Sequence, residues 1–346
     1  MPDKIKKKVE LELKKFATDI DKTYSLSKIS PLLFKSIKDF ILRKGKRIRP
    51  ILFVVGYSGF SKKLPAGLYR SALAIELMHD FMLVHDDIID KSDTRRGKPS
   101  MHKLLDKYLK NYKKVKFSGQ DLSIVIGDVM YAIAIKAFLA IREDPERKEK
   151  ALKKFIEAAI YTGSGEFIEL LGGIDSIEKI TKDNIYRIYD YKTACYTFST
   201  PLASGAILAG APKKEIDKLF KFGIFLGRAF QIRDDILGMF GDEQKIGKST
   251  LSDLQESKKT LLIWQAYQNS SKAVRMSIKR LLAKSKVSQN DLVKVRRIIT
   301  ESGALDYAER EINSLVKRSQ ALINSSSISG NYKDFLIKYP EKLLKS

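Results

Sequence analysis

Apolar residues recur at intervals of three and four along most of the chain, which is the spacing of one face of an α-helix. Stretches rich in glycine, proline or charge separate these segments, for example GKRIRP at 45–50, RRGKP at 95–99 and AGAP at 209–212. Segments that alternate with period two, as strands do, are short and few. The pattern predicts helices over 4–24, 31–42, 67–90, 123–142, 148–171, 184–208, 214–240, 259–268, 273–283, 289–302 and 304–322.

The predicted helices 67–90 and 123–142 are apolar on most sides, as is typical of helices inside a large bundle. No low-complexity linker and no fixed-period repeat interrupts the chain. We therefore predict an all-α fold in which one domain, residues 1–346, places ten or more helices around a buried centre. Pro201 lies inside the predicted helix 184–208 and should bend or end it.

Composition restricts the class of protein further. The 346 residues are 44% hydrophobic and 31% charged, which allows a sizeable core and excludes wholesale disorder. Cys195 is the one cysteine, which excludes a disulfide framework and a cysteine-based zinc site. The charged start MPDKIKKKVELELKK lacks the apolar core of a secretory signal, and no apolar run is long enough to span a bilayer. We expect a cytoplasmic protein with at most peripheral membrane association.

The charge balance permits three interpretations. Lysine and arginine number 65 against 41 acidic residues, giving a formal net charge of +24. This charge could serve nucleic acid, form a lysine-rich solvated surface, or attract small polyanions or an anionic membrane. Most lysines alternate with glutamate and apolar residues at helical spacing, so we favour the solvated surface and expect no nucleic-acid partner.

The first informative segment is HDFMLVHDDIIDKSDTRRGKP at 79–99. On a helix Asp86 and Asp90 lie about 40° apart and one turn apart, with Asp87 beside them. Carboxylates on an apolar helix need a counter-charge if they are buried, and oxygen ligands suit Mg²⁺. A helix end open to solvent would explain this cluster equally well.

A second cluster favours a metal site over a solvent-exposed helix end. In GRAFQIRDDILGMFGD at 227–242, Gln231, Asp234, Asp235 and Gly238 fall within about 100° on another apolar helix. If the two faces oppose each other, they form an acidic cleft for divalent metal ions. Metal-bound anions would then be held by nearby basic residues, because arginine and lysine bind phosphate oxygens well; these are Lys46, Arg47, Arg49, Arg95, Arg96, Lys192, Lys248 and Lys258.

Taken together, these motifs resemble those of trans-isoprenyl diphosphate synthases, the polyprenyl synthetase family. DDIID at 86–90 with DTRRGKP is similar to the first aspartate-rich motif, QIRDDILG at 231–238 to the second, and GKRIRP to the homoallylic diphosphate site. YDYKT at 189–193 and GKSTLSDLQESKKT at 247–260 add two matches in the family's order. The resemblance implies an all-α homodimer with a deep central cavity. It also implies Mg²⁺-dependent condensation of isopentenyl diphosphate with an allylic diphosphate.

The same resemblance implies a role for each matching residue. Three Mg²⁺ ions on the allylic diphosphate would be held by Asp86, Asp87, Asp90, Asp234 and Asp235. That diphosphate would also be bound by Arg95, Lys192 and Lys248, with Lys258 as a helper. Isopentenyl diphosphate would be bound by Lys46, Arg49, His79 and Arg96. Thr193 and Gln231 would direct oxygens toward the reacting carbon.

Two positions depart from the family pattern, and two histidines have no assigned chemistry. Gly238 replaces the last aspartate of the second motif, and Glu166 stands where glutamine is usual.

The histidines differ in where they point. On a helical wheel His79 lies about 20° from Asp86, whereas His85 lies about 120° from His79, so His79 and His85 cannot share a metal. We expect His85 and His102 to be structural.

Product length is readable in part. Phe81 and Met82 precede Asp86 by five and four residues, or roughly 6–8 Å along the helix axis. Met78 lies about 12 Å from Asp86 in the same direction. Ordinary core packing would also explain these side chains. No two-residue insertion interrupts DDIID, and an aromatic residue, Phe81, stands five residues upstream. This combination resembles archaeal-type geranylgeranyl diphosphate synthases and implies a C20 product, with C15 and C25 products as alternatives.

Rival interpretations come from other classes. A terpene cyclase shares the fold and the metals but has no need of GKRIRP or His79. A non-catalytic partner subunit would be expected to lose carboxylates from the first motif, and here all three are present. A helical nucleic-acid binder would explain the charge and leave both aspartate clusters unexplained.

Overall fold

The structure is a computed structural model, and it describes residues 1–242 and 250–344. Apart from one antiparallel hairpin, in which Thr94–Arg95 (β1) pairs with Lys98–Pro99 (β2), its regular elements within these ranges are helical. The predicted all-α class is therefore confirmed. No helix in the described part of the chain is long and apolar enough to cross a membrane.

The chain divides into two compact units, Met1–Phe155 with Ser204–Gly210 and Ile156–Ala203 with Ala211–Ser346. The helices of the first unit are α1 Pro2–Tyr24, α2 Leu26–Ile29, α3 Pro31–Ile41, α4 Ile48–Ser58, α5 Leu68–Ile89, α6 Met101–Leu109 and α7 Gly119–Phe138. Helix α8, Pro145–Ile174, begins in the first unit and continues in the second. That the whole chain is a single domain stays a prediction.

The second unit contains a 3₁₀ turn at Ile177–Lys179 and a π-helical segment, Asp190–Ser199, between two α-helices. Its helices are α9 Lys182–Tyr189, α10 Thr200–Leu208 (ending in the first unit), α11 Lys213–Phe240, α12 Ser252–Gln255, α13 Leu261–Asn269, α14 Lys272–Leu282, α15 Gln289–Glu301, α16 Ala304–Asn324 and α17 Gly330–Leu344.

Helix α5 is the centre of the first unit, where it packs against α7, α4 and α1. Its residues from Ser71 to Met78 are all buried, which explains why its sequence shows little polar face. The Ser71 hydroxyl donates to the Phe138 carbonyl at 2.7 Å and fixes α5 to the C-terminal end of α7. Helix α7 begins with a capping box, in which Ser118 and Asp121 satisfy each other's backbone amides. The first aspartate motif therefore lies on a rigid, buried helix.

Helix α11 is the centre of the second unit and packs against the π-helical segment and α16. Two glycines allow the close approach. A Cβ on Gly223 would lie 2.4 Å from Ser199 Cα, and one on Gly227 would lie 2.3 Å from Ala194 Cβ. The second aspartate motif is thereby held against the segment that carries Lys192.

Pro201 was expected to bend or end the predicted helix 184–208, and it does not end the helical run. The run changes from π-helical to α-helical hydrogen bonding at Thr200, and Pro201 occupies the first turn of α10. A proline is tolerated in the first turn of a helix, and this placement explains why the helical run continues.

Candidate active site

The first aspartate motif lies at the C-terminal end of α5, which extends to Ile89 with Asp90 as its cap residue. Asp86 and Asp90 are half-buried, whereas Asp87 is fully buried. Asp87 Oδ1 accepts a hydrogen bond from Arg95 Nε at 2.7 Å. Burial raises the pKa of Asp87, although Arg95 opposes that shift. The hairpin that follows α5 therefore returns Arg95 to the carboxylates of the first motif.

Arg47 does not take part in anion binding. Its side chain is 1% exposed and donates to Glu10 Oε1 at 2.8 Å, Glu76 Oε1 at 2.9 Å and the Arg43 carbonyl at 2.7 Å. These bonds connect α1, α5 and the loop before α4, because Arg47 stands at the N-terminal cap of α4. The prediction that Arg47 binds phosphate is wrong, because its guanidinium is buried and already hydrogen-bonded within the core of the first unit.

His79, Arg49 and Arg96 are brought together in the first unit. The half-buried His79 has a pKa well below its ordinary value, because burial and the positive charges of Arg49, Arg96 and Arg95 all disfavour the imidazolium. His79 is therefore a neutral hydrogen-bonding group among cations at neutral pH. Lys46, the fourth residue expected here, has an exposed side chain.

Asp80 belongs to the same cluster and was not singled out by the sequence. Its carboxyl is fully buried, and Arg96 Nη2 lies 3.0 Å from Oδ1. Burial raises the pKa of Asp80 to about 7, against the opposing charge of Arg96. Asp80 lies on the same α5 face as Glu76, one turn later, and that spacing is the signal that could have identified the pair.

The predicted floor residues lie on α5 beneath the motif. Met78 and Met82 are buried, while the half-buried Phe81 has its ring centroid 5.1 Å from that of Tyr131 on α7 and 4.8 Å from that of His85. His85 packs in turn against Gly127, where a Cβ would come within 2.7 Å of the imidazole. This packing agrees with a structural role for His85. His102 is also buried, with Nδ1 3.3 Å from Ser100 Oγ.

In the second unit, a cavity of about 380 Å³ lies beside α11. It brings together most of the residues predicted there, and its lining includes Lys192, Gln231, Asp234, Asp235, Lys258, Glu169, Asp253 and Tyr189. Lysines and carboxylates from α8, the π-helical segment, α11 and the segment after α12 thus share one surface. Such a mixture suits a metal-bound anion better than an apolar ligand.

A chain of hydrogen bonds ends on Asp235 in this cavity. The Thr193 hydroxyl donates to Gln231 Oε1 at 2.7 Å, and Gln231 Nε2 donates to Asp235 Oδ1 at 3.0 Å. The Tyr189 hydroxyl donates to the other carboxylate oxygen of Asp235 and accepts the Leu261 amide at 3.0 Å. Burial, with the negative charges of Asp253 and Asp234 adding to it, raises the pKa of Asp235 to about 8 despite these donors.

Tyr189 was not assigned a role, although it is the first residue of YDYKT. It precedes Lys192 and Thr193 by three and four residues, which is the spacing of one helix face. That spacing could have identified it. The π-helical turns that begin at Asp190 are of a kind often found at functional sites.

Two of the lysines that line the cavity contact carboxylates. Lys192 Nζ lies 2.6 Å from Glu166 and also pairs with Glu169, while Lys258 Nζ lies 2.7 Å from Glu256 and 4.0 Å from Glu169. Gly165 allows α8 to approach, since a Cβ there would lie 2.7 Å from the Lys192 amide nitrogen. The unusual Glu166 is thus a direct partner of Lys192. Lys248 lies outside the described residues.

Gly238 has a structural counterpart in Asp253. A Cβ on Gly238 would lie 2.6 Å from Asp253 Oδ2, so this carboxylate approaches the place where a longer side chain would begin. Asp253 was missed because it was taken only as part of the motif at 247–260. Within residues 1–242 and 250–344, no three His, Cys, Asp or Glu side chains converge as in a preformed metal site. Magnesium sites completed by water and substrate phosphate do not require such convergence.

Comparison with known proteins shows the family. The polyprenyl synthetase family model matches residues 30–299. A geranylgeranyl diphosphate synthase of Sulfolobus acidocaldarius is 32% identical over 332 residues, 95% of this chain and 94% of that protein. A geranylfarnesyl diphosphate synthase of Aeropyrum pernix is 33% identical over 290 residues, 81% and 83% of the two chains.

A solved structure agrees with this relationship. The geranylgeranyl pyrophosphate synthase of Corynebacterium glutamicum, complexed with isoprenyl diphosphate and magnesium, superposes with a TM-score of 0.89 at 26% identity, covering 100% of this chain and 99% of that one. The fold and the two motifs are those of an all-α prenyltransferase. The chain belongs to the polyprenyl synthetase family, and its activity is that of a trans-prenyltransferase acting in isoprenoid biosynthesis.

Proposed function

We propose that this enzyme condenses isopentenyl diphosphate with an allylic diphosphate, head to tail, and that its main product is geranylgeranyl diphosphate. The observation that carries the proposal is the second-unit cavity, which places both aspartates of the second motif, the exposed Asp234 and the buried Asp235, on one surface with lysines. The relatives named as geranylgeranyl diphosphate synthases support the C20 product.

The donor atoms fit Mg²⁺. Each aspartate of the two motifs ends in carboxylate oxygens, the ligands that this cation prefers. Asp87 Oδ2 is buried and accepts no hydrogen bond from a described residue, so it keeps lone pairs for a ligand. Asp86, Asp87, Asp90, Asp234 and Asp235 would hold the ions, three with substrate bound. Bound Mg²⁺ would neutralise the charge that develops on diphosphate as the allylic C–O bond breaks.

The protein's own residues supply the remaining electrostatics. Arg95 would exchange its bond to Asp87 for one to a diphosphate oxygen, while Lys192 and Lys258 would exchange Glu166, Glu169 and Glu256 for the same anion. Fixed cations stabilise a leaving group without reorganising in the transition state. Lys248 is proposed to bind the diphosphate as well, by its place in the motif.

Isopentenyl diphosphate is proposed to bind among Lys46, Arg49, His79 and Arg96. Support comes from the positive field of Arg49, Arg95 and Arg96 around His79, which keeps the imidazole neutral and able to donate a hydrogen bond. The Thr193 hydroxyl and the Gln231 side-chain carbonyl are proposed to stabilise the cation at the reacting carbon. The Gln231 carbonyl is held by the Thr193 hydroxyl, which donates to it. The released diphosphate would accept the proton that completes the condensation.

A homodimer is proposed as the working unit. On α7, the neighbouring apolar side chains of Ile124 and Val125 are 43% and 59% exposed, so this helix offers apolar area for a contact between two copies. A second copy of the chain would cover this face. Light scattering should give a dimer for the wild type and a monomer for Val125→Glu, and a monomeric wild type would contradict the proposal.

The experiment for the reaction is incubation of the protein with labelled isopentenyl diphosphate, Mg²⁺ and a C5, C10 or C15 allylic diphosphate. Chromatography of the dephosphorylated alcohols should show a C20 product. A dominant C25 product would favour the second candidate, a geranylfarnesyl diphosphate synthase, which the relative of that name supports. Cyclic hydrocarbon would indicate a terpene cyclase, and no turnover with any primer would contradict the proposed activity.

A further inference from the structure

Residues 103–117, which follow the first motif, are unusually rich in lysine. Between residues 103 and 117 there are six lysines and a single acidic residue, Asp106. The Asp106 carboxylate accepts the Gly119 amide at 2.7 Å, so it is committed to the start of α7. Lys103 pairs with Asp93 at 3.0 Å. The remaining five lysines are exposed and form no ion pair with a described residue: Lys107, Lys110, Lys113, Lys114 and Lys116.

Large apolar side chains lie among these lysines and also point outward. Tyr112 and Phe117 are each 54% exposed, and Leu104 and Tyr108 are each 39% exposed. Elsewhere in the chain most lysines alternate with glutamate and apolar residues, so this surface differs from the general basic exterior. We call the exposed side chains of residues 104–117 the basic aromatic surface.

We propose that the basic aromatic surface docks the enzyme on an anionic membrane. Lysines are attracted to the negative lipid headgroups, while tyrosine and phenylalanine enter the interfacial region with their apolar bodies. Neither contribution alone gives stable attachment, but the two together act as a combined signal.

Two features favour a lipid surface over nucleic acid. The rings of Tyr108 and Tyr112 lie 5.4 Å apart with their hydroxyls 2.7 Å from each other, so each partly covers the other and their faces are less open to a stacked base. Leu104 is aliphatic and offers nothing to base stacking, but it adds apolar area that a bilayer interface can bury. Membrane docking does not depend on the proposed reaction.

The test is binding of the full-length protein to vesicles of phosphatidylcholine with a quarter phosphatidylglycerol, measured by flotation. The surface variant is K113E/K114E/K116E. Its control is K213E/K214E/K221E, which makes the same change of net charge at exposed lysines of α11. Each lysine near an anionic surface contributes about fivefold to binding, so the surface variant should bind at least about 100-fold more weakly. The control should bind almost as the wild type does.

A second variant, Tyr112→Ser with Phe117→Ser, leaves the charge unchanged and should weaken vesicle binding by about tenfold. All variants should keep their elongation rate in solution and their oligomeric state, which separates this proposal from the proposed function. The proposal is overturned if the wild type does not bind anionic vesicles, or if the control variant loses as much binding as the surface variant. A changed oligomeric state of the surface variant would also overturn it. Binding of poly(U) with no binding of vesicles would also overturn it, in favour of nucleic acid.

Discussion

At the scale of single residues, Asp235 has surroundings unlike those of a surface aspartate. It is 6% exposed, lies near two other carboxylates, and receives donors from Tyr189 and Gln231 on its two oxygens. These donors fix the direction of the carboxylate before any ligand arrives. Preorganised groups bind a metal–diphosphate complex with less loss of entropy, so the tyrosine should contribute to metal affinity.

Tyr189→Phe tests this role. Loss of a hydrogen bond to a buried carboxylate should raise the Mg²⁺ concentration for half-maximal elongation by about tenfold or more. Calorimetric binding of Mg²⁺ with inorganic diphosphate should weaken in parallel. Tyr186→Phe is the control, since Tyr186 lies on the same helix but donates to Glu311 at 2.5 Å. Equal metal dependence in both variants would contradict the assignment.

Gly238→Ala tests the counterpart carboxylate. The new Cβ would meet Asp253 Oδ2 at 2.6 Å and displace that side chain. We expect weaker Mg²⁺ binding, with the Mg²⁺ concentration for half-maximal rate raised several-fold. Gly163→Ala on α8 is a matched control, because a Cβ there meets nothing within 4 Å. If the two variants have the same metal requirement, Asp253 has no part in the site.

Asp80 predicts a pH dependence of stability. Burial raises its folded pKa to about 7, above the unfolded value near 4. The folded state therefore holds a proton that the unfolded state releases, and stability from this group is present below pH 4 and lost as the pH rises toward 7. Denaturant unfolding of the wild type, compared with Asp80→Asn, should show the wild type losing on the order of 2 kcal/mol between pH 5 and pH 8. Parallel pH profiles would contradict this assignment.

At the scale of elements, α5 and α7 together determine what lies beneath the first motif. The sequence placed Phe81 on α5 correctly, but its ring partner Tyr131 on α7 could not be predicted, because no spacing within one helix reports a contact between two. The two aromatic rings stand 5.1 Å apart and present a combined obstacle. Product length should therefore depend on both side chains.

Phe81→Ala should lengthen the product, with C25 and longer alcohols appearing after dephosphorylation. Tyr131→Ala should act in the same direction, since it removes the other half of the pair. Phe34→Ala on α3 serves as the control for loss of a half-buried phenylalanine. An unchanged product distribution in both α5 and α7 variants would reject the chain-length role.

The elements also show where sequence patterns were informative. Helices α5 and α11 begin and end within one residue of the predicted ranges, because strong periodicity and clear breakers mark them. Helix α4 was missed because Pro50 and the arginines before it read as a break, while its buried residues show no polar face. Arg47 was misassigned for a related reason. A motif gives the residue types, but it does not show which of their side chains are buried and hydrogen-bonded in the core.

At the scale of the whole molecule, each of the two units holds one aspartate motif. Neither unit carries the complete set of expected groups, since the residues assigned to isopentenyl diphosphate lie in the first and the cavity lysines in the second. The family relationship covers both units, because the matching region runs from residue 30 to residue 299. We therefore expect activity to require both motifs acting on one leaving group.

The most direct measurement is a double-mutant cycle in single-turnover elongation, with Asp90→Asn, Asp234→Asn and the double variant. Each single change should slow product formation by about 10²-fold, and the double variant should be much faster than the product of the two losses implies, because groups acting on one transition state are non-additive. Losses that multiply fully, or a wild-type rate in either single variant, would contradict the claim that the two motifs ionise the same diphosphate.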